Sequence, residues 1–364
     1  MQLTHSKILY PSRFFIKKWL AMENIRFGCD IIKFGYDLDR IVIYAKLAEK
    51  NGFEIVSLPD HLFHPLDQRF FPEPSWDAFT MLTVIGLNTH SVKITPAVTD
   101  PFRRHPATIA NEISTLDRLT NGRAFLAIGA GEGLNMAYLN DPRWKKPVSA
   151  LTEAVKVIKL LWLSTHDNPV TFDGEFFQLK NAFLGFKPIQ KPHPPVYIGG
   201  YGPKIRQLVG ELGDGWIPWI ESTESYKKKL DDIRRHAIKA SRKIEEIDPA
   251  VMLYTVVLDD GDLARNVVAR RTKIALSLRR ELLQEMGYAD LAKESLAMWK
   301  TAFKQKEINK IYEVADKLPM ELVEKTSIAG TPDEAIEKIE KFIEAGARTF
   351  VVIPIVERFE ETVK

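Results

Sequence analysis

Short, uninterrupted apolar runs alternate with amphipathic helical stretches along nearly the whole chain, and this alternation narrows the possible folds most. IRFGCDI (25–31), EIVSL (54–58), VKITPAV (92–98), AFLAI (124–128), PVYIG (195–199), GWIPW (215–219), VMLYTVVL (251–258) and TFVVIP (349–354) read as strands. They are apolar rather than alternating, as expected of strands covered on both faces. LDRIVIYAKLAEKNG carries Leu38, Ile41, Val42, Ala45 and Ala48 at helical spacing, with Asn51-Gly52 as its stop. Helices are predicted around 76–88, from Pro106 to Asp117, and over 149–163, 203–212 and 223–242. In TPDEAIEKIEKFIEAG, Thr331 is the N-cap, Pro332 opens the helix and Glu334 completes a capping box. Ile336, Ile339, Phe342 and Ile343 form its buried stripe, and Gly346 suits the left-handed position after its last turn. Eight such units predict an α/β fold, a TIM (β/α)8 barrel in preference to a doubly wound open sheet. Two insertions interrupt it. VTFDGEFFQL (170–179) predicts a hairpin with a tight turn at Asp173-Gly174, and about 262–325 reads as a helical excursion forming a lid or a subunit contact.

Bulk properties exclude several classes. At 364 residues, 45% hydrophobic and 27% charged, the chain has the composition of a soluble globular protein. Its formal charge of +3 is local: residues 1–21 hold Lys7, Arg13, Lys17 and Lys18 and no acid, and the remainder is nearly neutral. With no basic stripe and no interleaved aromatics, nothing suggests a nucleic-acid partner. No apolar run approaches the ~18 residues of a membrane span. The single cysteine, Cys29, excludes an internal disulfide and fits a cytoplasmic location. Periodic structure begins only after residues 22–24. The first 21 residues are therefore expected to be a disordered extension or a start-site artefact, with Met22 the natural start and 22–364 a single barrel domain.

Chemistry in such a barrel gathers at the C-terminal ends of the strands. Those ends are polar here: Pro59-Asp60-His61, then Ala97-Val98-Thr99-Asp100, then GAGEGLN (129–135), then GGYGPK (199–204). GAGEGL is not a dinucleotide fingerprint, because its third glycine position is Leu134. Its glycines either make a turn needing positive φ or line a site in which Glu132 is an acid. GGYGPK either cradles a phosphate with backbone N–H groups ahead of a helix or is a plain turn before Pro203. His61 can serve as general acid or base with Asp60 orienting it, or be a structural histidine. No metal spacing and no nucleophile elbow occurs.

LTVIGLNTHSVKITPAVTDPFRRHPATIANEISTLDRLTNGRAFLAIGAGEGLN resembles the bacterial luciferase-like flavin and deazaflavin oxidoreductases, over about Ile25 to Pro354. STLDRLTNGR is shared widely in that family, FMN-dependent members included. PDH (59–61) and PVYIGGYGPK (195–204) are similar to the branch using coenzyme F420, an 8-hydroxy-5-deazaflavin: methylene-tetrahydromethanopterin reductase and the glucose-6-phosphate and secondary-alcohol dehydrogenases. The resemblance implies a hydride-transferring oxidoreductase acting on a small molecule, and commonly a homodimer. Asp60 and His61 match the family's pair near the reactive ring, His61 corresponding to the base of alcohol oxidation. Ala97 and Val98 match a pair joined by a non-prolyl cis peptide that backs the ring. Glu132 matches the dehydrogenases' acidic residue. Asn135 matches a cofactor contact with Gly131 in the same loop, and Gly199, Gly200, Tyr201, Gly202, Pro203 and Lys204 match the loop around the cofactor phosphate.

The chain also departs from the family's patterns. Where the dehydrogenases have DHFxPW, this chain has DHLFHPL, with Leu66 in place of tryptophan. The lysines that hold a sugar phosphate align with Gln207 and Thr255, which disfavours that substrate. The pterin reductase has an Asp-Lys-bearing loop where GEGLN stands, although the flanks LTVIGLNTHSVKI and GYGPK lean towards it. The alternatives are an FMN-dependent monooxygenase and a non-catalytic flavin-binding protein.

Overall fold

A computed structural model describes residues 25–31, 38–62, 76–298, 300–302, 304–355 and 363. The N-terminal extension (1–21), the start at Met22 and the departure at Leu66 lie outside the described residues. The strands are β1 (Arg26–Asp30), β2 (Ile55–Leu58), β3 (Lys93–Pro96), β4 (Leu126–Ile128), β5 (Val170–Asp173), β6 (Gln178–Ala182), β7 (Val196–Ile198), β8 (Gly215–Trp216), β9 (Asp248–Val257), β10 (Ile328–Gly330) and β11 (Thr349–Pro354). Eight of them follow one another in the parallel order β3-β2-β1-β11-β9-β8-β7-β4. Single bridges Ile94↔Ala124 and Thr99↔Ile128 join the two ends of that sheet, so the barrel closes between β3 and β4.

The predicted strands are all present, six of them shorter than expected, VKITPAV and GWIPW by the most. GWIPW pairs continuously only over Gly215–Trp216 and resumes at a single Trp219↔Met252 bridge, because Pro218 has no N–H to donate and contributes only its carbonyl, to Met252. The third run stops at Pro96. One strand was not expected: Ile328–Gly330 lies alongside β9, outside the ring. The hairpin β5–β6 forms, but its loop runs over 174–177 rather than being a tight turn at Asp173-Gly174. The carboxylate of Glu153 accepts the N–H groups of Glu175, Phe176 and Phe177 at 2.8, 2.8 and 3.1 Å, beside the loop's own bond from the Gly174 N–H to the Phe177 carbonyl at 3.1 Å.

Two apolar layers sandwich the strands. Ile55, Phe125, Ala127, Met252, Tyr254 and Val351 fill the barrel, and Cys29, Val56, Ile94, Leu126 and Ile198 face the helices. The widely shared STLDRLTNGR segment holds this scaffold together and stands away from the mouth. Asp117, fully buried, accepts the N–H groups of Ile189 and Gln190 at 2.6 and 3.0 Å. Arg123 donates to the carbonyls of Gly86 and Thr89 at the end of helix Ala78–Asn88, and to that of Val92. At the N-terminal end of the barrel Asp248 gathers Arg26 at 2.5 Å, the Thr349 hydroxyl at 2.8 Å and the Tyr197 phenol. Burial together with that carboxylate pushes the phenol's pKa above the usual tyrosine range. Replacing Asp248 with alanine strands these donors. The expected cost is roughly 3 kcal/mol in urea unfolding, with an unchanged m-value.

Candidate active site

His61, Glu132 and Asn135 meet at the C-terminal end of the barrel. His61 follows β2, whereas Glu132 and Asn135 stand in the loop after β4, which turns through Gly131 (φ 73°) into the short helix Gly133–Met136. A glycine at 131 is thus required by the turn and also frees the next residue to present its carboxylate. His61 Nδ1 lies 2.9 Å from Glu132 Oε1 and 3.0 Å from Asn135 Nδ2. Asn135 Oδ1 accepts the Leu62 N–H at 3.0 Å, which orients the amide and turns its NH2 towards both partners. Asn135 Nδ2 stands 3.4 Å from Glu132 Oε1. The triangle accommodates either histidine tautomer: Nδ1–H donates to Glu132, or Nδ1 accepts from Asn135.

Asp60 does not hydrogen-bond to that imidazole. Its Oδ2 accepts the Thr99 hydroxyl at 2.8 Å and Arg104 at 2.8 Å, with Arg103 at 3.2 Å, while only 3% of its side chain is exposed. The expected orienting role therefore passes to Glu132 and Asn135, and Asp60 anchors the turn that carries His61.

Ala97 and Val98 are joined by a cis peptide. Val98 leans between the ends of β4 and β7: a Cβ on Gly129 would stand 3.0 Å from Val98 Cγ2, and one on Gly199 would stand 3.1 Å from Val98 Cγ1. Beyond Gly199, Trp216 Nε1 donates to the Gly200 carbonyl at 2.9 Å, and the Tyr201 carbonyl accepts from Arg206 at 2.6 Å. Helix Pro203–Leu212 starts at Gly202 with no side-chain cap and no acid in its first turn, and Lys204 is exposed there. A Cβ on Gly202 would meet nothing within 4 Å, so the approach to those N–H groups is open. Gln207 is exposed and bonded to Glu211, whereas Thr255 is buried in β9; they form no common site.

Two further features bear on the site, the first of them not anticipated. Asp30, at the end of β1, is 4% exposed, and the Ser57 hydroxyl stands 2.5 Å from its Oδ1. With no cation beside it among the described residues, burial pushes its pKa up to about 7, so about half of it is still protonated at neutrality. No motif marks it in the sequence; the only cue was an acid inside an apolar strand. Second, the helical excursion packs on the loop bearing Glu132. The Met298 carbonyl accepts the Gly133 N–H at 3.2 Å, and a Cβ on Gly133 would fall 2.1 Å from the Thr301 carbonyl oxygen. Among the described residues, no cluster of His, Cys, Asp and Glu stands where it could hold a metal ion.

Residues 24–349 match the model of the luciferase-like monooxygenase family. The chain belongs to that family. It is 32% identical over 312 residues, 85% of this chain and 87% of the relative, to a 5,10-methylenetetrahydromethanopterin reductase of Archaeoglobus fulgidus. An F420-dependent secondary alcohol dehydrogenase, solved with an F420-acetone adduct, superposes with a TM-score of 0.77 at 26% identity, covering 93% of this chain and 97% of its own. A coenzyme F420-dependent tetrahydromethanopterin reductase of Methanopyrus kandleri superposes with a TM-score of 0.74 at 23% identity, covering 93% and 96%, and so shares the fold.

In this luciferase-like chain the protonation of Asp30 is measurable without any ligand. Folded Asp30 keeps its proton up to about pH 7, whereas the unfolded carboxyl loses it near pH 4. Stability falls as pH rises through that window, because the folded state must then ionise a buried acid. Asp30→Asn should gain stability relative to the parent across that interval, up to ~4 kcal/mol by pH 8. Thermal unfolding of both proteins at pH 5 and pH 8 checks this; a gap independent of pH would mean that Asp30 is already ionised.

Proposed function

We propose that the chain is a coenzyme F420-dependent oxidoreductase that moves a hydride between the deazaflavin and a small organic substrate, of alcohol/carbonyl or methylene-pterin type. The observation that carries this reading is the triangle of His61, Glu132 and Asn135 at the same end of the barrel as the open, uncapped loop Gly199–Lys204, with Val98 seated between Gly129 and Gly199. The donor set suits an anionic group at that loop, where uncapped N–H groups and Lys204 favour a phosphate. Val98, so seated, gives the mouth an apolar surface for a flat ring.

When bound, the deazaflavin supplies hydride chemistry at its C5. The protein's own residues orient the substrate and move the proton. With Nδ1–H directed at Glu132, His61 presents Nε2 to take a hydroxyl proton, and the carboxylate stabilises the imidazolium that results. In the opposite direction the imidazolium, its Nδ1–H still directed at Glu132, returns the Nε2 proton to the substrate oxygen and leaves the neutral ring. Asp30, whose pKa is raised to about 7, is a second group able to exchange a proton at the same end of the barrel. Asp60, Ala97, Val98 and Gly131 shape the mouth, and the Gly200, Tyr201, Gly202 and Pro203 backbone faces the cofactor.

Exposed Ile43 and Leu87, on the adjacent helices Leu38–Lys50 and Ala78–Asn88, support a homodimer. Buried Cys29 suits the cytoplasm, and no helix among the described residues is long and apolar enough to cross a membrane.

Fluorescence titration with the deazaflavin and with FMN tests the cofactor: the deazaflavin should bind tightly and FMN weakly, and the reverse preference would replace this reading with the FMN-dependent one. His61→Ala should lower turnover by about 10²–10⁴-fold while leaving the deazaflavin dissociation constant within a few-fold of the parent.

A further inference from the structure

Arg279 stands where the helical excursion meets the mouth, three residues beyond the end of helix Gly261–Leu276. Its side chain is 4% exposed. Nη1 donates to the carbonyls of both Trp219 and Ile220, and Nη2 donates to Glu221 Oε1 at 2.7 Å. The flat face of the guanidinium lies over the Tyr201 ring, with Cζ 3.4 Å from the ring centroid. Glu221 is fully buried, and Lys229 Nζ holds it from the other side at 2.9 Å. Lys229 continues to Glu285 at 3.1 Å, and the Ser225 hydroxyl lies 2.8 Å from Glu221 and 2.6 Å from Glu285. Two cations thus face two carboxylates, and Arg279 is held in one orientation.

What it holds is unusual backbone. Ile220 has a φ of +55°, in the left-handed region that a β-branched residue strongly disfavours. Arg279 grips this residue's own carbonyl and the one before it. That grip also sets the direction of Trp219, which closes β8 through its bridge to Met252 and meets Tyr254 edge-on at 6.1 Å.

We propose that Arg279 is a positioning residue that joins two walls of the mouth, holding Tyr201 of the Gly199–Lys204 loop with its guanidinium face and Trp219 through the Trp219 and Ile220 carbonyls. The effect on cofactor affinity rests on the reading of that loop given above; the placement of Trp219 does not. Lysine cannot substitute, because an ammonium ion pairs with Glu221 but offers neither a planar fork for two carbonyls nor a face for the ring.

Arg279→Lys separates positioning from charge balance. It should raise the deazaflavin dissociation constant about tenfold or more, the scale of a lost stacked, forked cation. In the apoprotein it should also abolish the near-ultraviolet circular dichroism band that Trp219→Phe removes, and cause no further change at that band in the Trp219→Phe background. Parent-like affinity together with an intact Trp219 band would overturn the proposal. Should Arg279→Lys fail to fold, Tyr201→Leu leaves the ion network in place; it should weaken deazaflavin binding to a similar extent, and parent-like binding by it would overturn the proposal equally. If the parent itself binds no deazaflavin, the cofactor reading fails, and survival or loss of the Trp219 band in the apo Arg279→Lys variant decides the positioning alone.

Discussion

One carboxylate oxygen ties the mouth of this barrel together. Asp60 Oδ2 collects a hydroxyl from the end of β3 and two guanidinium groups from the loop that follows, all within 3.2 Å and almost out of contact with water. Such charge-assisted bonds are the strong ones, and removing a partner from them leaves buried charge uncompensated. Through them the turn after β2 is fastened to the seam where the barrel closes, between Thr99 and Ile128. His61 is the next residue along, so its placement opposite Glu132 depends on a neighbour that never touches its ring.

Asp30 and Asp60 show how environment divides two chemically identical groups. Both are buried at strand ends, but Asp60 is surrounded by cations whereas Asp30 has a hydroxyl. Burial, with no compensating charge among the described residues, raises the Asp30 pKa to about 7. An acid that can hold a proton near neutrality and an imidazole that can exchange one, at the same end of a barrel, form a suitable arrangement for redox chemistry that couples hydride and proton movement.

Much of this was legible along the chain. The eight apolar runs and their helices are local signals, and so is the capping box at Thr331, where Glu334 accepts the Thr331 N–H at 2.7 Å. His61 and Glu132 could be singled out as candidates because each follows a strand in a polar turn, Glu132 among glycines, whereas Asn135 came only through the family resemblance. What was not legible depends on partners distant in sequence. The hairpin loop after Asp173 is shaped by Glu153, on a helix that precedes it. The isolation of Asp30 is a property of the filled barrel, and no residue near it in sequence reports it. The assignment of Asp60 as orienter failed for the same reason, since Arg103 and Arg104 lie some forty residues further on.

The helical excursion extends this logic to specificity. Leu134, beside the candidate acid, belongs to a small apolar cluster with Ile274, Leu278, Ile308 and Ile311, all from the excursion and its flanks. The Gly133 backbone lies against Thr301 so closely that no side chain fits between them, and Tyr138 donates to the Ala302 carbonyl at 2.6 Å. The loop bearing Glu132 therefore cannot move independently of the excursion, and Arg279 ties the opposite wall to the same excursion. Changes in the excursion can consequently reshape the substrate side of the mouth while leaving the strands, the Asp60 clamp and the Gly199–Lys204 loop untouched. The barrel supplies the constant chemistry, and the long connection between β9 and β11 is where substrate choice can be altered without disturbing it.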